Sequence, residues 1–129
     1  MIENLSQEQL AGILETIPIE ISFVDEDDLV KFWNKHETRM FKRPLAVIRK
    51  SVQNCHPKHS VDKVNQLLSD FKAGKKDSAE FWINVDEKKV YIRYFAVRNK
   101  AGRYLGTLEA TQDITEIKKI EGEQRLSKY

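Results

Sequence analysis

The tightest constraint on this chain lies near its end. Tyr104-Leu105-Gly106-Thr107-Leu108-Glu109-Ala110-Thr111-Gln112 alternates as a strand and then stops at Asp113-Ile114-Thr115. A turn at Gly102 precedes it, and the charged residues 116–126 read as a helix. Asp113 and Thr115 carry the short oxygen side chains that cap a helix start, and Glu116 suits its positive end. A strand that delivers the chain into an exit helix must belong to a sheet, and the preceding runs supply one. Residues 79–85 and 90–97 are rich in Val, Ile, Phe, Tyr and Trp, with turns at residues 86–88 and 99–102. Three consecutive strands with tight turns form an antiparallel meander.

Upstream, Ser6-Gln7-Glu8-Gln9 matches a capping box, with Leu5 and Leu10 at the staple positions. Leu10, Ile13, Leu14 and Ile17 repeat at helical spacing until Pro18 ends the run. Residues 19–23 and 29–33 form two strands around an acidic turn. Asn34 can cap a short helix to about Phe41, which Pro44 ends, and residues 45–55 are irregular. Ser60 caps the longest internal helix, whose apolar face is Val61, Val64, Leu67, Leu68 and Phe71, and Gly74 suits its left-handed end.

This order is helix, two strands, short helices, a longer helix, three strands and an exit helix, and it resembles a PAS sensor domain. Such domains typically close their last strand with Asp-Ile-Thr, here Asp113-Ile114-Thr115. Four phrases look like the C-terminal PAS-like module of prokaryotic proteins that carry a hemerythrin-like segment and have no settled function. They are Gln53-Asn54-Cys55-His56-Pro57, Glu80-Phe81-Trp82-Ile83, Ile92-Arg93-Tyr94-Phe95-Ala96-Val97-Arg98 and Thr111-Gln112-Asp113-Ile114-Thr115. The resemblance implies an α+β fold: a five-stranded antiparallel sheet with short helices over one face, an N-terminal cap helix and a C-terminal exit helix. The expected division is cap helix 1–18, PAS-like domain 19–115 and exit segment 116–129.

Composition narrows the class. A chain of 129 residues fits one domain with a real core. Lys plus Arg number 22 against 20 acidic residues, so the net charge of +2 gives no pull toward nucleic acid. No apolar run approaches the ~20 residues of a membrane span. The N-terminus has no basic-then-apolar signal pattern, which makes the cytoplasm the expected location. A single cysteine, Cys55, excludes an intrachain disulfide. Phosphate loops, Cys-x-x-Cys, His-Glu-x-x-His and Gly-x-Ser-x-Gly patterns are lacking, and the expectation is a protein that is not an enzyme.

The resemblance also implies a cavity between the helices and the sheet that holds a small organic ligand. If Thr111 faces inward, alternation turns Thr107 and Glu109 inward with it, and Ile92 and Tyr94 from the neighbouring strand. Cys55 and His56 would complete the pocket from the helical side. A buried Glu109 needs a partner, which Tyr94, Thr107, His56 or the ligand could supply, or Arg93 if a bulge shifted the register. The alternative is a solvent edge for Glu109. The concentration of Lys31, Lys35, Arg39, Lys42, Arg43, Arg49 and Lys50 reads as solvated surface.

Cys55, His56 and His59 are the densest donor group, and metal or haem is the alternative to packing there. Haem-binding relatives commonly take their ligand from a histidine on the long helix, but residues 61–73 contain none, so His56 or His59 would have to serve. Flavin photochemistry fits poorly, because Cys55 directly adjoins His56-Pro57 and Thr111 stands where light-sensing relatives carry glutamine.

The outward sheet face, with Tyr91, Phe95, Val97, Leu108 and Ala110, is too apolar to face water. The Leu10/Ile13/Leu14/Ile17 stripe is the natural cover, from its own chain as a lid or from a partner's, and a homodimer built on it is the expectation. Asp113 and Thr115 form the corner through which a signal would leave, and its reader is expected on another chain or on a part of the protein outside this sequence.

Overall fold

The computed structural model describes residues 1–129, with the side chain of Cys55 outside the described residues. Two helices and five strands follow in the order α1 (Gln7–Thr16), β1 (Glu20–Asp25), β2 (Val30–Trp33), α2 (Lys58–Lys72), β3 (Ser78–Val85), β4 (Lys88–Arg98) and β5 (Tyr104–Asp113). The strands form one antiparallel sheet in the order β2-β1-β5-β4-β3. The meander β3-β4-β5 therefore forms as its turns dictate, and β5 also pairs with β1, far away in sequence. That pairing needs Gly106, where a Cβ would lie 2.2 Å from the Val24 carbonyl oxygen.

Helix α1 starts with the predicted capping box. The Gln9 N–H donates to Ser6 Oγ at 3.0 Å, and the Ser6 N–H donates to Gln9 Oε1 at 3.0 Å. At the far end of α2, Gly74 adopts φ +74° and the Arg98 guanidinium donates to the Phe71 carbonyl at 2.7 Å. Arg98 also pairs with Asp77 at 3.3 Å, which ties the helix end to the start of β3. The apolar core lies between α2 and the β1–β2 hairpin: Val24, Val30, Trp33, Val52 and Leu68, flanked by Val47, Ile48, Val64 and Leu67.

Three expected elements differ. Helix α2 begins at Lys58 with Pro57 as its N-cap, three residues before the expected Ser60 cap. The imino ring presets the helix entry, and the Ser60 side chain is left to face the cavity described below.

No helix forms over residues 34–41. The Asn34 amide is instead a three-way pin: its Oδ1 accepts from the Ile21 N–H at 2.8 Å, and its Nδ2 donates to the carbonyls of Leu14 at 2.8 Å and Ile19 at 3.0 Å. Lys35 then takes φ +55°, which a right-handed helix cannot use.

The exit segment is likewise not a continuous helix but a single 3₁₀ turn, Ile117–Lys119, with a second at Leu126–Lys128. Of the two expected caps, Asp113 holds the N–H two residues on, whereas the Thr115 hydroxyl is engaged elsewhere. Asp113 Oδ1 accepts from the Thr115 N–H at 3.0 Å and from its hydroxyl at 2.6 Å, while Thr115 Oγ1 accepts from the Lys89 N–H at 2.9 Å. A short segment whose residues 116–129 are all exposed is a marginal helix in water, and Gly122 at φ +64° interrupts it further.

Candidate functional site

A cavity of about 270 Å³ lies between α2 and the sheet. Alternation dictates its floor. Glu109 stands opposite Ser22 on β1 and Tyr94 on β4, Thr107 opposite Val24, and Ile92 opposite Phe81 on β3. All seven of these side chains line the cavity, as predicted for Ile92, Tyr94, Thr107 and Glu109. Its roof is the inner face of α2, with Ser60, Lys63, Val64, Leu67 and Leu68, and Val52 and His56 close the side. Phe81 packs edge-on against Tyr94 with ring centroids 6.0 Å apart.

The predicted residues divide in use. His56 reaches the cavity wall, and its Nδ1 lies 3.1 Å from the Val52 carbonyl, which can only accept; Nδ1 therefore carries the proton. Thr107 pairs with the Tyr104 hydroxyl at 2.8 Å and so is not the partner of Glu109. Thr111 is buried behind the wall rather than in it, and its hydroxyl donates to Glu109 Oε1 at 3.3 Å. The Cys55 side chain lies outside the described residues. His59 is exposed, and among the described residues no group of three or more His, Cys, Asp or Glu side chains can hold a metal ion.

Glu109 is half-buried rather than at a solvent edge, and its charged partner is Arg43, at 3.4 Å. Arg39 is fully buried, only 3% exposed. This corrects the reading of both arginines as solvated surface. Sequence periodicity could not place them, because they lie in an irregular loop whose path is set by tertiary contacts; the one available signal was a buried carboxylate in need of a cation.

The Arg39 guanidinium makes four hydrogen bonds: to the carbonyls of Asn34 (2.8 Å), Ile21 (3.2 Å) and Phe41 (3.2 Å), and to Ser22 Oγ (3.1 Å). Burial lowers its pKa, and the carboxylates of Glu20 and Glu109 oppose that shift. The Tyr94 hydroxyl is pushed far above the ordinary tyrosine range, first by burial and then by the charge of the neighbouring Glu109. It therefore stays a protonated donor at any physiological pH. The site has apolar walls and polar groups converging at one end, the composition of a small-molecule pocket.

The outer face of the sheet carries the apolar residues expected there. Arg93 lies over the rings of Tyr91 and Phe95, 5.0 Å and 5.7 Å from their centroids, and donates to Gln112 at 2.8 Å. It is thus an outer-face residue and not a partner of Glu109. Of the cap stripe, Leu10, Leu14 and Ile17 are half-buried and Ile13 is 45% exposed. On the sheet, Trp82 is 61% exposed.

Comparison with known proteins agrees with this architecture. A crystal structure of a C-terminal domain from Streptococcus mutans is similar at 34% identity and a TM-score of 0.84, with 91% of each chain covered. The PAS domain of BvgS from Bordetella pertussis shares the fold at 17% identity and a TM-score of 0.64, covering 87% of this chain and 88% of its own. A sensory box sensor histidine kinase from Vibrio cholerae does so at 13% identity and a TM-score of 0.59, covering 82% and 89%. No curated protein matches the chain in sequence. The family model for the PAS domain matches residues 10–115, and with the sheet order, the helical roof and the Asp-Ile-Thr corner in place, the chain belongs to the PAS domain family.

Proposed function

We propose that this domain is a sensory and protein-interaction module that binds a small organic molecule in the cavity beneath α2. The observation that carries the reading is the cavity itself: about 270 Å³ of space with apolar walls, bounded at one end by Arg43, Tyr94 and Glu109. Its size, near the low end of the ~300–1,000 Å³ usual for ligand pockets, suits a guest smaller than a porphyrin. Family membership supports a sensing role, and so does the fold it shares with a sensor histidine kinase.

In this reading the domain performs recognition rather than catalysis. Glu109 sits on the same strand as Asp113, so a guest that shifts β5 also shifts the Asp113–Thr115 corner and the chain leaving it. The ligand acts only through different affinities for the two settings of that corner. A homodimer formed through the α1 stripe and the exposed outer-face residues is the partner the surface favours.

The test is to denature the purified protein, extract it and identify small molecules by mass spectrometry. A compound in near-stoichiometric amount is expected, and it should be absent from a Val64→Trp variant whose larger side chain fills the cavity while the circular dichroism spectrum stays unchanged. An empty extract, together with a small-molecule panel in which nothing raises Tm, overturns the proposal.

A further inference from the structure

The polar end of the cavity holds a cation that its partner does not satisfy. Arg43 reaches Glu109 through Nη2 alone, at 3.5 and 3.4 Å from the two carboxylate oxygens. Charge-assisted N–H···O bonds normally close to ~2.7–2.9 Å, and arginine pairs best through two parallel donors. Nε and Nη1 of Arg43 make no hydrogen bond among the described residues. Glu109 is better served, because Thr111 also donates to it and the Tyr94 hydroxyl, held protonated, stands beside it. Lys63 is a second cation on the cavity wall, where Glu109 is the one carboxylate among the described lining residues. The rest of the lining is mainly aliphatic and aromatic.

From these positions we infer that the cavity selects a small apolar carboxylic acid, its carboxylate on the unused donors of Arg43 and its hydrocarbon part between Leu67, Leu68 and Ile92. This rests on the reading of the cavity as a ligand site. An amine would meet Arg43 and Lys63, two like charges, and the carboxylate that could attract it is already held by Arg43 and Thr111. An alcohol would leave the guanidinium fork without an anion. An arriving carboxylate competes with Glu109 for Arg43, and the Thr111 hydroxyl stays on Glu109 when that contact loosens. The exchange takes place on β5, four residues before Asp113. Ligand charge is thereby coupled to the corner that ends the domain.

The inference is tested by calorimetric titration of the full chain with octanoate, 1-octanol and octylamine at matched ionic strength. Octanoate is expected to bind about tenfold more tightly than octanol, and octylamine more weakly than either. In Arg43→Gln the preference for octanoate should vanish while octanol binding is retained, and Arg43→Lys should restore part of it. Val64→Trp should abolish binding of all three, which separates the cavity from nonspecific adsorption.

Equal or tighter binding of octanol or octylamine overturns the carboxylate assignment and leaves the cavity reading intact. So does an octanoate preference that survives in Arg43→Gln. Failure of all three probes to bind also overturns the assignment, and the cavity reading falls with it only if the extracts are empty as well.

Discussion

Arg39 and Arg43 lie four positions apart in one irregular loop, and both turn inward toward the same sheet. Arg39 is 3% exposed and spreads four hydrogen bonds of 2.8–3.2 Å over three carbonyls and a hydroxyl. The Arg43 side chain is 14% exposed and touches one carboxylate at 3.4 Å through one nitrogen. A guanidinium with four of its five donors engaged fixes the loop in place. One left with donors to spare, beside a cavity, is available to a guest. The same chemical group is thus structural in one position and receptive in the other, and satisfaction of its donors separates the two roles.

That contrast can be broken most directly at Arg39. Arg39→Met should cost about 3 kcal/mol, because it leaves buried carbonyls and the Ser22 hydroxyl without a donor and Glu20 without a nearby cation. Thermal unfolding should show this as a drop of roughly 10 °C in Tm. A loss as small as that of an ordinary surface substitution would remove Arg39 from its structural role.

Arg43→Gln should cost about 1 kcal/mol or less in the ligand-free protein, since a long single-nitrogen contact is weak and glutamine can still donate to Glu109. Chemical denaturation of both variants measures the gap. Equal losses would erase the distinction between the two arginines.

The smallest effect is expected at the exit corner, and it depends on pH. The Thr115 hydroxyl, and after it the Thr115 N–H, hold the Asp113 carboxyl below its ordinary value of 3.8. A depressed folded pKa contributes stability above the unfolded value and loses it as pH falls through the lower folded value. Asp113→Asn should therefore lower Tm slightly at pH 7, and the difference from the natural sequence should narrow as pH drops below about 4. A difference that widens in acid would contradict the hydrogen-bonded corner.

Much of the fold was legible beforehand for local reasons. The α1 capping box, the Gly74 helix end and the β3-β4-β5 meander each depend on residues close together in the chain. Alternation also placed Ile92, Tyr94, Thr107 and Glu109 on one face. The failures share a cause. Asn34 was read as a cap for the residues after it, but its amide is used by Leu14, Ile19 and Ile21. The Thr115 hydroxyl was read as a cap for a following helix, and it bonds to Asp113 and to the Lys89 N–H instead. A polar side chain has several eligible partners, and local sequence shows only the near ones.

By itself the sequence determined the strands, their alternation and hence which side chains face inward, because a pleated strand turns every second residue to the same side. Only the tertiary structure decided which cation reaches Glu109 and whether the space above the sheet is filled. Both depend on the path of the loop between β2 and α2, where no periodic pattern constrains the chain and distant hydrogen bonds set its course.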